Sequence, residues 1–383
     1  MTKEMRPRER VVAALNHREP DRVPIECGSM ISSLQVDAYR DLKRYLGITG
    51  KKEKIIHWMM MTAQLDEEVY QRFHVDVRHI YAAPGESWKP TGTGEFVDEF
   101  GIRYRPSPNG YYHEIVGGPL HEATIEDLER YRLPDPHDPR RVAGLREKAN
   151  ALREQTDYAI MLEGYSEATF GLPSWLRGAQ QFYMDLVLDK RFVNRLLDKL
   201  MEFWIGLTDN VMKDVGKYID IVKISDDFGT QRDTMISPEL YREMIKPRQK
   251  QLYSHIKSLT EAKLALHTCG SVHKIIGDLI EVGVDILNPV QVSAANMDSR
   301  KLKKEFGDRI VFWGGGCDTQ RTLQFGTPED VEEEVKHRIA DFAPGGGYIF
   351  NQVHNIQPGT PPENVCRMFD AAYEFGTYPI RIR

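Results

Sequence analysis

Residues 263–270 read KLALHTCG, an apolar run that becomes polar at its end. Three runs of the same form lie around it: IDIVKISDD at 219–227, VDILNPVQ at 284–291 and IVFWGGG at 310–316. Longer helical patterns separate the four runs. Because short β-rich runs that alternate with helices are typical of βαβ units, this half of the chain predicts an α/β fold with a parallel sheet.

Four further runs complete the pattern, namely VPIECG at 23–28, VDVRHIY at 75–81, YAIMLEGY at 158–165 and YIFNQVH at 348–354. Eight strands that alternate with helices predict a (β/α)8 barrel, also called a TIM barrel. A barrel accommodates the full length, so we expect one domain over 1–383 rather than two or three.

Two segments interrupt the alternation. Residues 95–120 alternate aromatic and polar side chains around a Pro-Asn-Gly turn, which predicts a small antiparallel β insertion after the second strand, covering one mouth of the barrel. Residues 57–61 read HWMMM, a run that suits either core packing or contact with a flat ligand or partner. We expect core packing for this run.

Composition excludes several classes of protein. The chain has 51 Lys and Arg against 57 Asp and Glu, a net charge of −6, and no basic run, so we expect no nucleic-acid partner. No apolar stretch is long enough to span a membrane and residues 1–20 lack a signal-like apolar core, so we expect a cytoplasmic protein. Four cysteines are too few for a disulfide framework, so each is either a buried small residue or a functional thiolate.

The polar residues at the strand ends are the candidate site, because the active site of such a barrel lies at the carboxyl ends of its strands. Carboxylates and imidazoles can transfer protons, whereas neutral amides bind oxygen-rich or heterocyclic ligands. The expected catalytic residues are Glu163, Asp226, Asp227 and His354. The expected substrate-binding residues are Glu26, Tyr165, Asn288, Gln291 and Asn351.

Two of these acidic positions have open alternatives. Asp226 and Asp227 are adjacent and cannot both face the mouth, so one contacts ligand while the other caps the next turn or pairs with Arg232. Glu163 is either an inward-facing acid or half of a structural pair with a neighbouring barrel residue. The sequence does not decide between them.

His267 and Cys269 are two residues apart on one strand, so their side chains point to the same side and can share a metal. Cys317 follows three glycines at the end of the seventh strand and could face the same axis. Three protein ligands with an open fourth position are typical of catalytic zinc, and His354 or a carboxylate could add a fourth contact. Alternatively, Cys317 is a small residue packed beside the glycines. Cys366 shares a helical face with Phe369 and Tyr373, so we expect it in the core.

Three segments resemble the uroporphyrinogen decarboxylase superfamily: RERVVAALNHREPDRVP at 8–24, SPELYREMIKP at 237–247 and PGTPPEN at 358–364. The resemblance covers nearly the whole chain and implies a (β/α)8 barrel. It also implies one of two chemistries. The decarboxylases of the superfamily act on porphyrinogens without a cofactor, and its methyltransferases work with methylcobamide and use zinc.

Departures from the decarboxylase pattern favour the second chemistry. The decarboxylases carry an Arg-Gln-Ala-Gly-Arg signature where this chain reads CGSMISS at 27–33, and their catalytic aspartate is missing from YAAP at 81–84. Only His354 matches their late histidine. The H-x-C pair of the methyltransferases is matched by His267 and Cys269, although His354 stands where that branch has a third, cysteine ligand.

The resemblance therefore implies a zinc-dependent methyltransferase acting between a small substrate, an aromatic methyl ether or a thiol, and a corrinoid. The chain has no D-x-H-x-x-G corrinoid motif, so the corrinoid must arrive on a partner protein. A uroporphyrinogen decarboxylase and a non-catalytic corrinoid- or tetrapyrrole-binding protein are the alternatives. The oligomeric state, including a homodimer, stays open.

Overall fold

The computed structural model describes residues 4–50, 52–85, 94–165 and 167–382. Twelve strands are assigned within these residues. The strands are β1 Ile55–His57, β2 Thr62–Ala63, β3 Val77–Tyr81, β4 Phe96–Val97, β5 Arg103–Pro106, β6 His113–Gly117, β7 Ala159–Tyr165, β8 Ile221–Ser225, β9 Lys263–His267, β10 Ile286–Asn288, β11 Val311–Trp313 and β12 Tyr348–Ile349.

Seven of the strands form one parallel sheet in the order β12-β11-β10-β9-β8-β7-β3. Sequential strands are neighbours, as right-handed βαβ units require. The register aligns Ser225 with His267 and His267 with Asn288, so residues at the carboxyl ends of β8, β9 and β10 lie side by side. Side chains at that edge converge on one mouth.

Residues 23–26 occupy the eighth position and close the ring. Phe350 N donates to Pro24 O at 2.8 Å, and Phe350 O accepts the N–H of Glu26 at 2.9 Å. On the other side, Asp76 N donates to Ile25 O at 2.8 Å. The predicted (β/α)8 barrel is confirmed. This first strand is short because Pro24 has no N–H and the Ile25 N–H is taken by the Asp76 carboxylate.

The helices surround this sheet. They are α1 Pro7–Leu15, α2 Val36–Leu46, α3 Glu67–Arg72, α4 Ile125–Arg130, α5 Leu145–Gln155, α6 Gly171–Arg177, α7 Ala179–Leu188, α8 Lys190–Val215, α9 Pro238–Leu240, α10 Lys246–Leu259, α11 Ile276–Val282, α12 Ser299–Phe306, α13 Thr322–Phe325, α14 Pro328–Phe342 and α15 Pro362–Phe375. A π-helical turn, Tyr241–Ile245, joins α9 to α10. None of the helices in the described part of the chain is long and apolar enough to span a membrane.

The barrel interior is apolar at its amino-terminal end. Inward residues of the strands, such as Ile221, Ala265 and Trp313, form one buried cluster with Val11 and Leu15 of α1. Helix α1 therefore plugs the amino-terminal mouth, as the apolar face of an amphipathic helix can. The carboxyl-terminal mouth is the open end.

The predicted insertion is present as the antiparallel sheet β4-β5-β6. The Pro-Asn-Gly turn lies between β5 and β6, where Gly110 has a φ of 72°. A second hairpin, β1-β2, was not predicted from the sequence. Its turn contains no Gly, Pro or Asn, and Met61 instead takes the left-handed conformation with a φ of 52°. The two elements touch, since His113 N donates to Met59 O at 2.8 Å.

Candidate functional site

His267, Cys269 and His354 come together at the carboxyl-terminal mouth. One ligand atom from each lies within 4.8 Å of the other two, and this is the one such group among the described residues. His267 ends β9, Cys269 follows it, and His354 comes from the segment after β12. The rings of His267 and His354 are 5.5 Å apart. Strand ends from different parts of the chain therefore build the group.

The donor set and its spacing fit zinc. Two imidazole nitrogens and one thiol are ligands that zinc prefers, with Zn–S of about 2.3 Å and Zn–N of about 2.0 Å. A tetrahedral angle between such bonds places sulfur and nitrogen roughly 3.6 Å apart. Cys269 Sγ lies 3.4 Å from His267 Nε2. Three ligands would leave a fourth position for a substrate or water.

Asn288 fixes the tautomer of His267. Its Nδ2 donates to Trp313 O at 2.9 Å, and a carbonyl can only accept, so the Asn288 amide has one orientation. Its Oδ1 then accepts the Nδ1–H of His267 at 2.6 Å. The lone pair of His267 is therefore on Nε2, the atom that faces Cys269. The structure thus shows Asn288, expected to bind substrate, positioning the imidazole instead.

We predict that Asn288→Ala weakens zinc binding about 10–100-fold, the usual cost of losing an outer partner of a metal-bound histidine. Competition with a chromophoric chelator measures the affinity. Asn364→Ala is the matched control, because Asn364 is also buried but bonds to Leu323 O and Gly326 O. Equal zinc affinity of wild type and Asn288→Ala would contradict the assignment.

Burial sets the protonation of the three side chains in the metal-free protein. Burial lowers the pKa of His267 far below its usual value and also lowers that of His354. Burial, followed by the charge of Asp227, raises the pKa of the Cys269 thiol well above its usual value. Both imidazoles are therefore neutral and ready to bind at neutral pH, whereas Cys269 must release its proton.

Asp226 and Asp227 have different surroundings. The Asp226 carboxylate is buried and accepts the N–H groups of Thr169, Phe170 and Gly171 and the Thr169 hydroxyl, at 2.6–3.2 Å. It caps the start of α6 and has no capacity left for ligand. Asp227 Oδ1 lies 4.0 Å from His267 Nε2 and accepts the Cys269 N–H at 2.7 Å. Of the two aspartates, Asp227 faces the mouth.

Glu163 forms an ion pair with a neighbouring barrel residue, which is one of the two alternatives that the sequence left open. Its Oε2 lies 3.4 Å from Lys223 Nζ, which also donates to Ser29 Oγ at 2.8 Å. Both of its carboxylate oxygens accept the Met30 N–H, at 3.1 and 3.2 Å. Sequence reasoning missed Lys223. Its signal was a lysine in the middle of the apolar run IDIVKISDD, where a charge needs a buried partner.

Glu26 and Asn351 lie inside a buried network rather than at a free surface. Asn351 Nδ2 and Trp313 Nε1 donate to Glu26 Oε2 at 2.5 and 3.1 Å, and Ser32 Oγ donates to Oε1 at 2.8 Å. Burial alone would raise the pKa of Glu26, but the nearby His79 lowers it to about 2. We interpret this network as the support that holds the loop after the first strand.

Two other predicted site residues, Tyr165 and Gln291, lie outside the group of His267, Cys269 and His354. Tyr165 packs on Trp204 of α8, because a bulge between Leu162 and Tyr165 changes the direction of its side chain. Gln291 Oε1 accepts the Gly270 N–H at 2.8 Å and so holds the loop after Cys269.

Cys317 is not part of the group, and His354 takes the place expected for it. The glycines before Cys317 turn the chain toward α14, where its buried Sγ lies 3.6 Å from Glu334 Oε2. The alternative interpretation, a small residue packed beside glycines, describes Cys317 as the structure shows it.

A cavity of about 220 Å³ opens beside the ion pair. Met30, whose N–H binds Glu163, lines it together with Gly164 of β7. The wall carries the rings of seven Trp, Phe and Tyr residues: Trp58, Phe96, Phe100, Tyr104, Trp175, Phe203 and Trp204. Phe96 and Tyr104 belong to the β insertion, which therefore covers this part of the mouth.

Comparison with known proteins gives a family and a fold. The sequence profile described as uroporphyrinogen decarboxylase (URO-D) matches residues 111–375. The uroporphyrinogen decarboxylase of Alkalilimnicola ehrlichii is 20% identical over 375 residues, covering 96% of this chain and 93% of its own. That of Geobacter metallireducens is 22% identical over 280 residues, covering 70% and 76%. A methyltransferase structure from Methanosarcina mazei has the same fold, with a TM-score of 0.69, 21% identity, and 97% of this chain and 99% of that chain covered. This chain belongs to the URO-D family.

Proposed function

We propose that the protein is a zinc-dependent methyltransferase that moves a methyl group between a small substrate and the cobalt of a corrinoid carried by a partner protein. The observation that carries the proposal is the open group of His267, Cys269 and His354 at the barrel mouth. A decarboxylase of this family needs no metal, so such a group would have no use in it. The related methyltransferase structure is compatible with the proposal.

Each side chain at the mouth has a defined part in this chemistry. Bound zinc supplies a Lewis acid that acidifies a thiol or polarises an ether oxygen. Asn288 orients the His267 ring, and Asp227 holds the backbone of Cys269 through its N–H. The Glu163–Lys223 ion pair lies next to the cavity wall, because Glu163 accepts the N–H of the lining residue Met30. That pair would protonate the phenolate that leaves when an aryl ether loses its methyl group, or accept the proton of a thiol.

The cavity also suits a small substrate better than a porphyrinogen. At about 220 Å³ it is below the roughly 300–1,000 Å³ typical of sites for drug-sized ligands. A porphyrinogen carries several carboxylates that need cationic partners. Among the described residues of the cavity wall, the arginine is Arg141, and its guanidinium is paired with Glu99 at 2.5 and 3.1 Å. Little positive charge is left for a polyanion.

The test uses zinc-loaded full-length protein and added cobamide without oxygen. We expect anisole or another methoxyaromatic to convert cob(I)alamin to methylcob(III)alamin, or a thiol to demethylate methylcob(III)alamin, as followed by absorption. Conversion of uroporphyrinogen to coproporphyrinogen without metal or cobamide would instead establish a decarboxylase. Tight cobamide binding with no turnover of any methyl donor would indicate a carrier. Either result contradicts the proposal.

A further inference from the structure

The β1-β2 hairpin forms one wall of the aromatic cavity. Its His57, Trp58 and Met59 all line the cavity, so the HWMMM run faces a ligand space and does not only pack in the core. His57 is the polar member of this wall. What its ring offers to a ligand depends on which nitrogen carries the proton.

The hairpin backbone fixes that tautomer. Met60 N lies 3.2 Å from His57 Nδ1, and a backbone N–H can only donate, so Nδ1 is the acceptor and the proton of the neutral ring is on Nε2. Burial, then the charges of Lys223 and His354, lower the pKa of His57 to about 4. The ring is therefore neutral near pH 7. Because Nδ1 is turned toward the hairpin, the opposite edge with Nε2–H is the one available to a ligand.

The charged groups of the same cavity are satisfied within the protein. Glu99 and Arg141 bind each other. Asp98 accepts the N–H groups of Phe100 and Ile102 at 2.9 Å and the Tyr104 hydroxyl at 3.0 Å. The cavity thus presents aromatic rings and neutral donors. A neutral aromatic molecule with an oxygen acceptor has the complementary chemistry.

We propose that His57 is the specificity residue of this cavity and that its Nε2–H binds an oxygen of a neutral aromatic ligand, an aryl ether or a phenol. The inference rests on the proposed function for the reaction such a ligand would undergo. The binding itself can be measured without any turnover.

Anisole and ethylbenzene are the probes, because they have nearly the same size and differ by an oxygen in place of a methylene group. Their affinities for the zinc-loaded full chain are measured by tryptophan fluorescence. We expect wild type to prefer anisole about 3–10-fold, the usual value of one neutral hydrogen bond. Two variants distinguish the acceptor role of Nδ1 from the donor role of Nε2–H. In His57→Asn the amide oxygen can still accept the Met60 N–H, but no donor reaches the Nε2 position, whereas the longer amide of His57→Gln restores that donor.

The preference for anisole should vanish in His57→Asn and survive in His57→Gln, with both variants showing melting temperatures close to that of wild type. Any of three results overturns the inference. They are an unchanged preference for anisole in His57→Asn, a lost preference in His57→Gln, and no preference in wild type. Preferential anisole binding without methyl transfer would overturn the proposed function alone. Methyl transfer without any oxygen preference would overturn the role of His57 alone.

Discussion

Replacing Cys269 by serine is expected to lower zinc affinity by more than about 100-fold. We expect the rate of methyl transfer to fall by the same factor. Loss of an outer partner of a metal ligand already costs about 10–100-fold, and here the ligand itself is lost. A serine hydroxyl stays protonated at neutral pH and is a poor substitute for thiolate. Zinc content after dialysis against a weak chelator, together with the cobamide assay, measures both effects.

The other cysteines provide matched controls. Cys317→Ser changes a buried thiol that lies beside Glu334, and Cys366→Ser changes one on α15. Both variants should keep stoichiometric zinc. If Cys269→Ser retained zinc, Cys269 would not be a zinc ligand. If Cys317→Ser lost zinc, Cys317 would be a ligand after all.

The second large effect is expected on stability, at Asp226. Asp226→Ala should lower the free energy of unfolding by about 3–5 kcal/mol, because it leaves three buried N–H groups and a hydroxyl without their acceptor at the start of α6. Burial raises the pKa of Asp226 to about 6, so the carboxylate is ionised at about pH 7.5, where the measurement belongs. Urea unfolding followed by circular dichroism gives the value.

Asp227→Ala is the natural comparison, one residue away. Asp227 accepts one backbone N–H at the site, and its side chain is 39% exposed, so its loss should cost only about 1 kcal/mol. We expect this variant to fold normally and to lose activity. Equal destabilisation by both substitutions would contradict the assignment of Asp226 to the start of α6 and of Asp227 to the mouth.

The sequence was sufficient for the features that depend on local periodicity. The alternation of apolar runs and helices predicted the barrel, and the turn at residues 108–110 predicted the insertion. The two-residue spacing of His267 and Cys269 predicted that their side chains converge. Each of these follows from geometry within one segment.

The rest of the site depends on irregular backbone and on long-range contacts. The bulge at Gly164 redirects Tyr165, and the glycine turn after β11 redirects Cys317. Neither change is visible in a pattern of period two. The choice between Asp226 and Asp227 was fixed by the start of α6, a segment far away in sequence. The role of Lys223 could not be predicted from its apolar run, because its partner Glu163 lies on another strand.

One measurement tests the metal site most directly: zinc K-edge X-ray absorption on the zinc-loaded wild-type protein. The account predicts one sulfur at about 2.3 Å and two imidazole nitrogens at about 2.0–2.1 Å, from Cys269, His267 and His354, with a light atom in the fourth position. A shell with two sulfurs, or with no sulfur at all, would contradict it.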